Sequence, residues 1–353
     1  METQKLIDIR SLSQEQIKEA FVSKGEKAFR AKQVYEWLWN KSASDFDQMS
    51  NLSFETRKWL KENYVINHVK VVDKQISSDK TIKSGFKLHD NHLVEGVLIP
   101  ADDRMTACVS SQVGCSLTCK FCATGKMDRL RNLNPDEIYD QVVHIKNWAM
   151  KHYNQPLTNI VFMGMGEPLL NYKNVLAAIQ KITSPEGLGM SNERITVSTA
   201  GIAKMIEKLA DDKVKFRLAL SLHAANDAKR NQIMPINESN SLDSIIKALK
   251  YFSNNTRNRI TFEYIAFRNF NDSMQDAREL LAICKVIPAK VNIIEYNSIG
   301  DGLFEKANKN QTDKFADFLM RNGVQTTIRR SRGKDIDAAC GQLANKKHED
   351  ALI

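Results

Sequence analysis

From Met105 onward the sequence switches six times between short apolar, β-branched stretches and longer amphipathic ones, and few patterns restrict a fold more tightly. The segments MTACVSS, NIVFMG, RITVSTA, FRLALSL, ITFEYIAF and VNIIEYN read as strands, each followed by apolar residues at helical spacing. Strands joined through helices run parallel with right-handed crossovers, because a right-twisted strand feeding a helix packs back onto its sheet only that way. A doubly wound sheet and an open, partial (β/α)6 barrel of the TIM type both satisfy the pattern. In either, ligands gather at the C-terminal ends of the strands. Gly114, Gly166 with Glu167, Ser198, Ser221 with His223, and Asn297 stand at those ends. Each alone would pass for a turn or a cap, but five at equivalent positions point to a site.

The chain before Met105 follows other periods. Over residues 11–63 polar caps such as Ser13 and Ser53 precede QIKEAFVSKG, FRAKQVYEWLW and FETRKWLKENY, whose apolar residues recur at three and four. This predicts a small helical module. Between about Val69 and Pro100 the period falls to two, as in TIKSGFKL and HLVEGVLI, with Asp90 and Asn91 as the turn of a β-hairpin. The expected organisation is a helical module over 1–66, a hairpin linker region over 67–103, an α/β unit over 104–343, and a tail over 344–353.

Composition bounds the function. A chain of 353 residues that is 42% hydrophobic can bury a large core, and a net charge of +9 favours a polyanionic partner. The helical module is nearly balanced, with 11 Lys and Arg against 10 Asp and Glu over 1–66, so the positive excess lies further on. No apolar run approaches the roughly 20 residues needed to cross a bilayer, and METQKLIDIR lacks the apolar stretch of a secretory signal. A cytoplasmic location is expected. Six cysteines are too few for a disulfide scaffold in a chain this long, which leaves metal or redox chemistry.

Three of the six decide which. In SSQVGCSLTCKFCATG, Cys115, Cys119 and Cys122 follow C-x3-C-x2-C directly after the first strand of the series. A 4Fe–4S cluster takes one ligand per iron, so three thiolates leave one iron open to an outside ligand. The amino and carboxylate groups of S-adenosylmethionine (SAM) can chelate that iron, placing the sulfonium where an electron from the cluster cleaves it. Structural zinc competes with this reading, yet it ordinarily takes four protein ligands, often as paired C-x2-C knuckles, and no second knuckle follows. Phe121 inside the loop would shield a cluster from water or serve simply as core.

The loop resembles that of the radical SAM superfamily, whose members share a full or partial (β/α) barrel. FMGMGEPLLN, ITVSTAG, LALSLHAAN, MPIN and DIDAACGQL, with FRAKQVYEWLW near the start, narrow the resemblance to the RlmN-type adenine-C2 methyltransferases of 23S ribosomal RNA. It covers nearly the whole chain. The resemblance implies two SAM per turnover, one as methyl donor and one as radical source, bound by Gly166, Glu167, Ser198, Ser221, Leu222, His223 and Asn297. The Glu167 carboxylate suits the SAM ammonium, whereas His223 could also be a strand-end histidine satisfied by backbone. A ring carbon between two nitrogens is too poor a nucleophile to attack SAM directly. The family's route, as the resemblance implies it, parks a methyl on Cys340, removes a hydrogen from it, and adds the resulting radical to the ring. Cys108 then attacks the Cys340 sulfur, closing a disulfide and releasing the product. Glu95 in HLVEGVLIP matches the proton acceptor, against the plainer reading of an exposed strand glutamate. Two buried structural cysteines are the plain reading of Cys108 and Cys340, and Cys284 is expected in a helix core.

Implied partners are 23S rRNA, certain tRNAs modified beside the anticodon, and an external electron donor such as flavodoxin or ferredoxin, with the enzyme acting as a monomer and no membrane involved. Lys120, Lys126, Arg129 and Arg131, and then Arg329, Arg330, Arg332 and Lys334, flank the chemical centres and read as phosphate contacts or as a solvated face. The helical module would meet RNA by shape. Two alternatives stay open: a Cfr-type enzyme that methylates C8 and protects ribosomes from antibiotics, and a non-catalytic RNA-binding protein with a structural metal site. Pro168 resembles the C2 group.

Overall fold

The computed structural model describes residues 6–345. The expected tail therefore lies, beyond Asn345, outside the described residues.

Helices α1 (Gln14–Ser23), α2 (Phe29–Trp39) and α3 (Phe54–Asn63) make the N-terminal module, closed by parallel two-residue strands β1 (Ile7–Asp8) and β2 (Tyr64–Val65). Ser13 and Ser53 cap α1 and α3 as expected, each hydroxyl accepting the N–H three residues on. Ile17, Phe21, Val34, Leu38, Trp39 and Leu60 bury one face of each helix and join the main core. Arg10 fixes the module to helix α4 (Pro135–Tyr153), its guanidinium reaching Asp140 at 2.7 Å and Asp136 at 3.2 Å.

Ten strands form one sheet in the order β14-β13-β12-β11-β10-β9-β6-β5-β4-β3. The antiparallel end holds β3 (Lys70–Ile76), β4 (Ile82–Lys87), β5 (Leu93–Ala101) and β6 (Arg104–Cys108). The expected hairpin is β4 and β5, with β3 as a further strand on its outer side. A small antiparallel pair, β7 (Gln112–Val113) and β8 (Arg131–Asn132), brackets the cysteine loop. The parallel part continues from β6 through β9 (Asn159–Phe162), β10 (Ile195–Thr199), β11 (Arg217–Ser221), β12 (Ile260–Ala266) and β13 (Ala289–Glu295) to β14 (Thr326–Arg329). The crossovers are α4, α5 (Tyr172–Thr183), α6 (Ala203–Asp211), the pair α7 (Asp227–Ile233) and α8 (Leu242–Thr256), α9 (Met274–Val286) and α10 (Lys309–Arg321). Strands β3 and β14 are not paired with each other, so the sheet is a partial barrel.

Six strand–helix units stand where the alternation predicts them. The structure adds β14, a seventh parallel strand followed among the described residues by no α-helix, which escapes notice because TTIR is short and runs into the basic stretch that follows. Cys108 sits where the sheet changes character, paired with Val97 on the antiparallel side and with Val161 on the parallel side. Cys284 is buried in α9, as expected.

Candidate active site

The cysteine loop is wound tightly on itself. Cys122 donates its N–H to Cys119 O at 3.2 Å and Gly125 donates to Cys122 O at 3.1 Å. A Cβ on Gly125 would lie 2.8 Å from Cys119 O, so the turn closes only around glycine. Leu117 and Phe121 anchor the loop in an apolar cluster with Ile233, Met234, Ile265, Phe267 and Ile294, and Cys115, Cys119 and Cys122 pack against it. Desolvation raises all three thiols, Cys115 to about 11. Soft donors against an apolar cluster of this kind suit an iron–sulfur cluster, whose metal charge deprotonates coordinating thiols outright.

The loop forms one wall of a cavity at the C-terminal ends of the strands, where parallel sheets of this kind bind their ligands. Gly166, Glu167, Ser198, Ser221 and His223 line it with the three cysteines. Gly166 has φ 92°, and a Cβ there would meet Gln112 Cβ at 2.4 Å. Both Glu167 oxygens accept backbone N–H groups, from Leu169 at 3.0 Å and Ala200 at 2.8 Å, which aims the carboxylate. Burial still pushes its pKa up to about 6. Ser198 and Ser221 face each other at 3.3 Å between hydroxyl oxygens.

His223 is more constrained than the sequence suggests. Its φ is 55°, its Nδ1 accepts the Ile265 N–H at 3.1 Å, and its ring stands edge-on to Phe121 at 4.8 Å. Burial drives its pKa down to about 3, so it is a neutral imidazole with the proton on Nε2. Leu222 and Asn297 do not line the cavity. Leu222 packs into the main core, and Asn297 donates to Cys340 O at 3.3 Å while its own Oδ1 is buried without a hydrogen-bond partner among the described residues.

Cys340 lines the same cavity beside the cysteine loop, the carbonyl of the next residue, Gly341, accepting the Ala123 N–H at 2.7 Å. It also lines a second, adjoining cavity, and there Cys108 and Arg329 join it. All six cysteines are free thiols. Burial raises Cys108 to about 12, with the neighbouring Cys340 adding to the rise, and raises Cys340 as well. The Arg329 guanidinium works the other way on both, favouring their thiolates. Arg329 is itself held by Glu263 at 3.4 Å.

Glu95 is not an exposed strand residue, for its side chain is 1% exposed and lies 3.3 Å from Lys83 Nζ. It lines neither cavity, and its Oε2 accepts the N–H groups of Ala344 and Asn345. Much of the basic run is likewise engaged within the protein. Arg131 binds Asp90 and Glu137, Lys126 binds Asp301, and Arg330 and Lys334 both bind Glu295. That leaves Lys120, Arg129 and Arg332, all exposed, as cations whose charge is free of carboxylate partners among the described residues. One central residue escapes the sequence reading. Arg230, on α7, is fully buried and donates to the carbonyls of Ala200, Ser221 and Leu222 at the ends of β10 and β11.

An open parallel sheet carrying a three-cysteine loop at the strand ends, facing a cavity lined by Gly166 and Glu167, defines a radical SAM enzyme. Residues 109–281 match the Radical SAM superfamily, and residues 7–66 match the Ribosomal RNA large subunit methyltransferase N-terminal domain. The chain is 65% identical to a probable dual-specificity RNA methyltransferase RlmN of Cytophaga hutchinsonii, over 96% of this chain and 93% of that one. It is 43% identical to the dual-specificity RNA methyltransferase RlmN of Aliarcobacter butzleri, over 91% and 92% of the two chains. The crystal structure of a radical SAM methyltransferase from Sphaerobacter thermophilus superposes with a TM-score of 0.90 at 36% identity, covering 96% of this chain and 99% of that one. The chain belongs to the RlmN family, and its cofactors are a 4Fe–4S cluster and SAM. Family membership sets aside the passive RNA-binding alternative.

Proposed function

We propose that this chain methylates C2 of a specific adenine in 23S ribosomal RNA, and C2 of the adenine beside the anticodon in certain tRNAs, through a methyl group carried on Cys340. The reading rests above all on Cys340 bordering both the cavity of the cysteine loop and the cavity of Cys108. Held by Cys115, Cys119 and Cys122, with SAM seated by Gly166, Glu167, Ser198, Ser221, Leu222, His223 and Asn297, the cofactors would supply a methyl group and a hydrogen-abstracting carbon radical. Cys340 is the nucleophile that accepts the methyl, and the charge of Arg329 helps to generate its thiolate. Cys108 acts last, attacking the Cys340 sulfur to close a disulfide that frees the methylated base, after which an external reductant restores both thiols. Glu95 takes the ring proton, a role that requires Ala344 and Asn345 to release its carboxylate.

In this scheme the module over 1–66 contacts RNA by shape, strands over 67–103 bridge it to the catalytic unit over 104–343, and 344–353 is a tail. The enzyme works as a monomer in the cytoplasm, with flavodoxin or ferredoxin as electron donor. The test is mass spectrometry of nucleosides from RNA treated with the anaerobically reconstituted protein. The expected product is 2-methyladenosine; exclusive 8-methyladenosine would move the chain to the Cfr-type alternative, against the Pro168 that resembles the C2 group.

A further inference from the structure

Arg230 presents an electrostatic imbalance that the proposed chemistry does not use. Its side chain is fully buried, and its guanidinium donates only to neutral oxygens: Leu222 O at 3.1 Å, Ser221 O at 3.2 Å, Ala200 O and Asn237 Oδ1. These bonds satisfy its donors but leave its charge uncompensated, and a buried charge is costly unless an anion faces it. Asp227 offers compensation only at one remove, through its 2.7 Å bond with Asn237 Nδ2.

The cysteine loop lies on the other side. Lys120, the residue after Cys119, donates its N–H to Ile233 O at 3.0 Å, which ties the loop to the last turn of the helix that carries Arg230. Ala200 and Ser221, whose carbonyls Arg230 holds, line the same cavity as Cys119. Lysine could supply the charge, but only the planar fork of arginine reaches the ends of two strands at once.

We propose that Arg230 is the counter-charge of the iron–sulfur cluster, raising its reduction potential while its fork clamps the ends of β10 and β11 against the SAM cavity. This rests on the reading that Cys115, Cys119 and Cys122 ligate the cluster. One-electron reduction, by the external donor or by dithionite in a titration, adds one negative charge beside Arg230 and breaks no bond. A fixed cation therefore favours the reduced form.

The experiment is an electron paramagnetic resonance titration with dithionite, without SAM, of full-length reconstituted wild type, R230Q, R230K and D227N. At the poise that half-reduces wild type, R230Q should show a roughly tenfold lower ratio of reduced to oxidised cluster, which is about 59 mV for one electron. R230K should stay close to wild type, and D227N should shift toward easier reduction because it removes a distant opposing charge. A wild-type midpoint in R230Q, or an R230K midpoint as low as that of R230Q, would overturn the assignment. If melting of the iron-free protein shows R230Q to be unfolded, D227N decides, and an unshifted D227N midpoint overturns the assignment. A wild type that takes up no iron sinks the cysteine-loop reading itself, whereas a full iron complement with invariant midpoints sinks only the role of Arg230.

Discussion

The carboxylate of Glu95 accepts the backbone N–H of Ala344 at 2.9 Å, joining residues 249 apart in sequence. Around that bond the C-terminal segment is laced to everything near the site. Gly341 O accepts from Ala123 in the cysteine loop at 2.7 Å, Leu343 O accepts from Thr124 Oγ1 at 2.6 Å, and Gln342 Nε2 donates to Ser298 O at 3.1 Å. Cys340 is therefore positioned by a strap whose anchor is a buried ion pair between β4 and β5.

The first prediction follows from that anchor. Glu95→Gln keeps a hydrogen-bond acceptor but leaves the Lys83 ammonium, 3.3 Å away and equally buried, without its charge partner. Breaking a buried pair from one side costs about 3 kcal/mol. Urea denaturation should show a loss of that order, and Cys340 in the variant should react faster with iodoacetamide as the strap loosens. Unchanged stability together with lost methyl transfer would mean that Glu95 acts on the proton alone.

The second prediction concerns the cysteine loop. Replacing Cys115, Cys119 or Cys122 with Ala should each remove most of the iron and visible absorption of the reconstituted protein, and its SAM cleavage, because a site built on three thiolates has no spare ligand. Iron analysis and optical spectra decide it. A Cys119→Ala protein with full iron and full turnover would refute the assignment.

What the sequence disclosed, and what it hid, divides along physical lines. Period and spacing are local, so the six strand–helix units, the caps at Ser13 and Ser53, and the cysteine loop were legible. Pairing across the fold is not local. Arg131 reads as a phosphate contact or a solvated cation until Asp90 and Glu137 are found beside it, and for Glu95 the plainer alternative of an exposed strand residue stands until the strap folds over it. Arg230 sits in the middle of a short helix between Lys229 and Asn231, where arginine ordinarily faces water. Its burial depends on the converging ends of β10 and β11, which no window of sequence contains. Asn297, expected to touch SAM, also holds the Cys340 carbonyl, a second role that only the folded chain reveals.

The third prediction is a pH dependence set by Glu167. Burial raises its pKa from 4.5 to about 6, against the N–H bonds from Ala200 and Leu169. Only the ionised form attracts the SAM ammonium, so affinity for SAM should weaken as pH falls below about 6, approaching tenfold per unit. The sign for the SAM-free protein is opposite. The folded carboxyl holds its proton at a higher pH than the unfolded chain does, so this group's contribution to stability is lost as pH rises from 4.5 through about 6. Equilibrium dialysis of SAM and melting curves across that range should show the two trends running in opposite directions, and Glu167→Gln should flatten both.

The last prediction separates Cys340 from Cys108, two thiols that border one cavity and feel the same Arg329. Cys340 is the methyl carrier, so Cys340→Ala should still take up a full complement of iron but transfer nothing to RNA. Full iron in that variant also shows that Cys340, although it lines one cavity with the cysteine loop, is not a fourth ligand. Cys108 is needed only after the carbon–carbon bond has formed. Cys108→Ala should therefore accumulate protein joined covalently to RNA through Cys340, seen as a nuclease-sensitive band retarded on a denaturing gel. Loss of the cluster imitates neither result, since it stops the reaction before any bond to RNA is made. If the two thiols were merely core, both variants would lose on the order of 1 kcal/mol of stability and trap nothing. Normal turnover by Cys108→Ala, or trapped RNA that maps to a cysteine other than Cys340, would show that the methyl does not travel on Cys340.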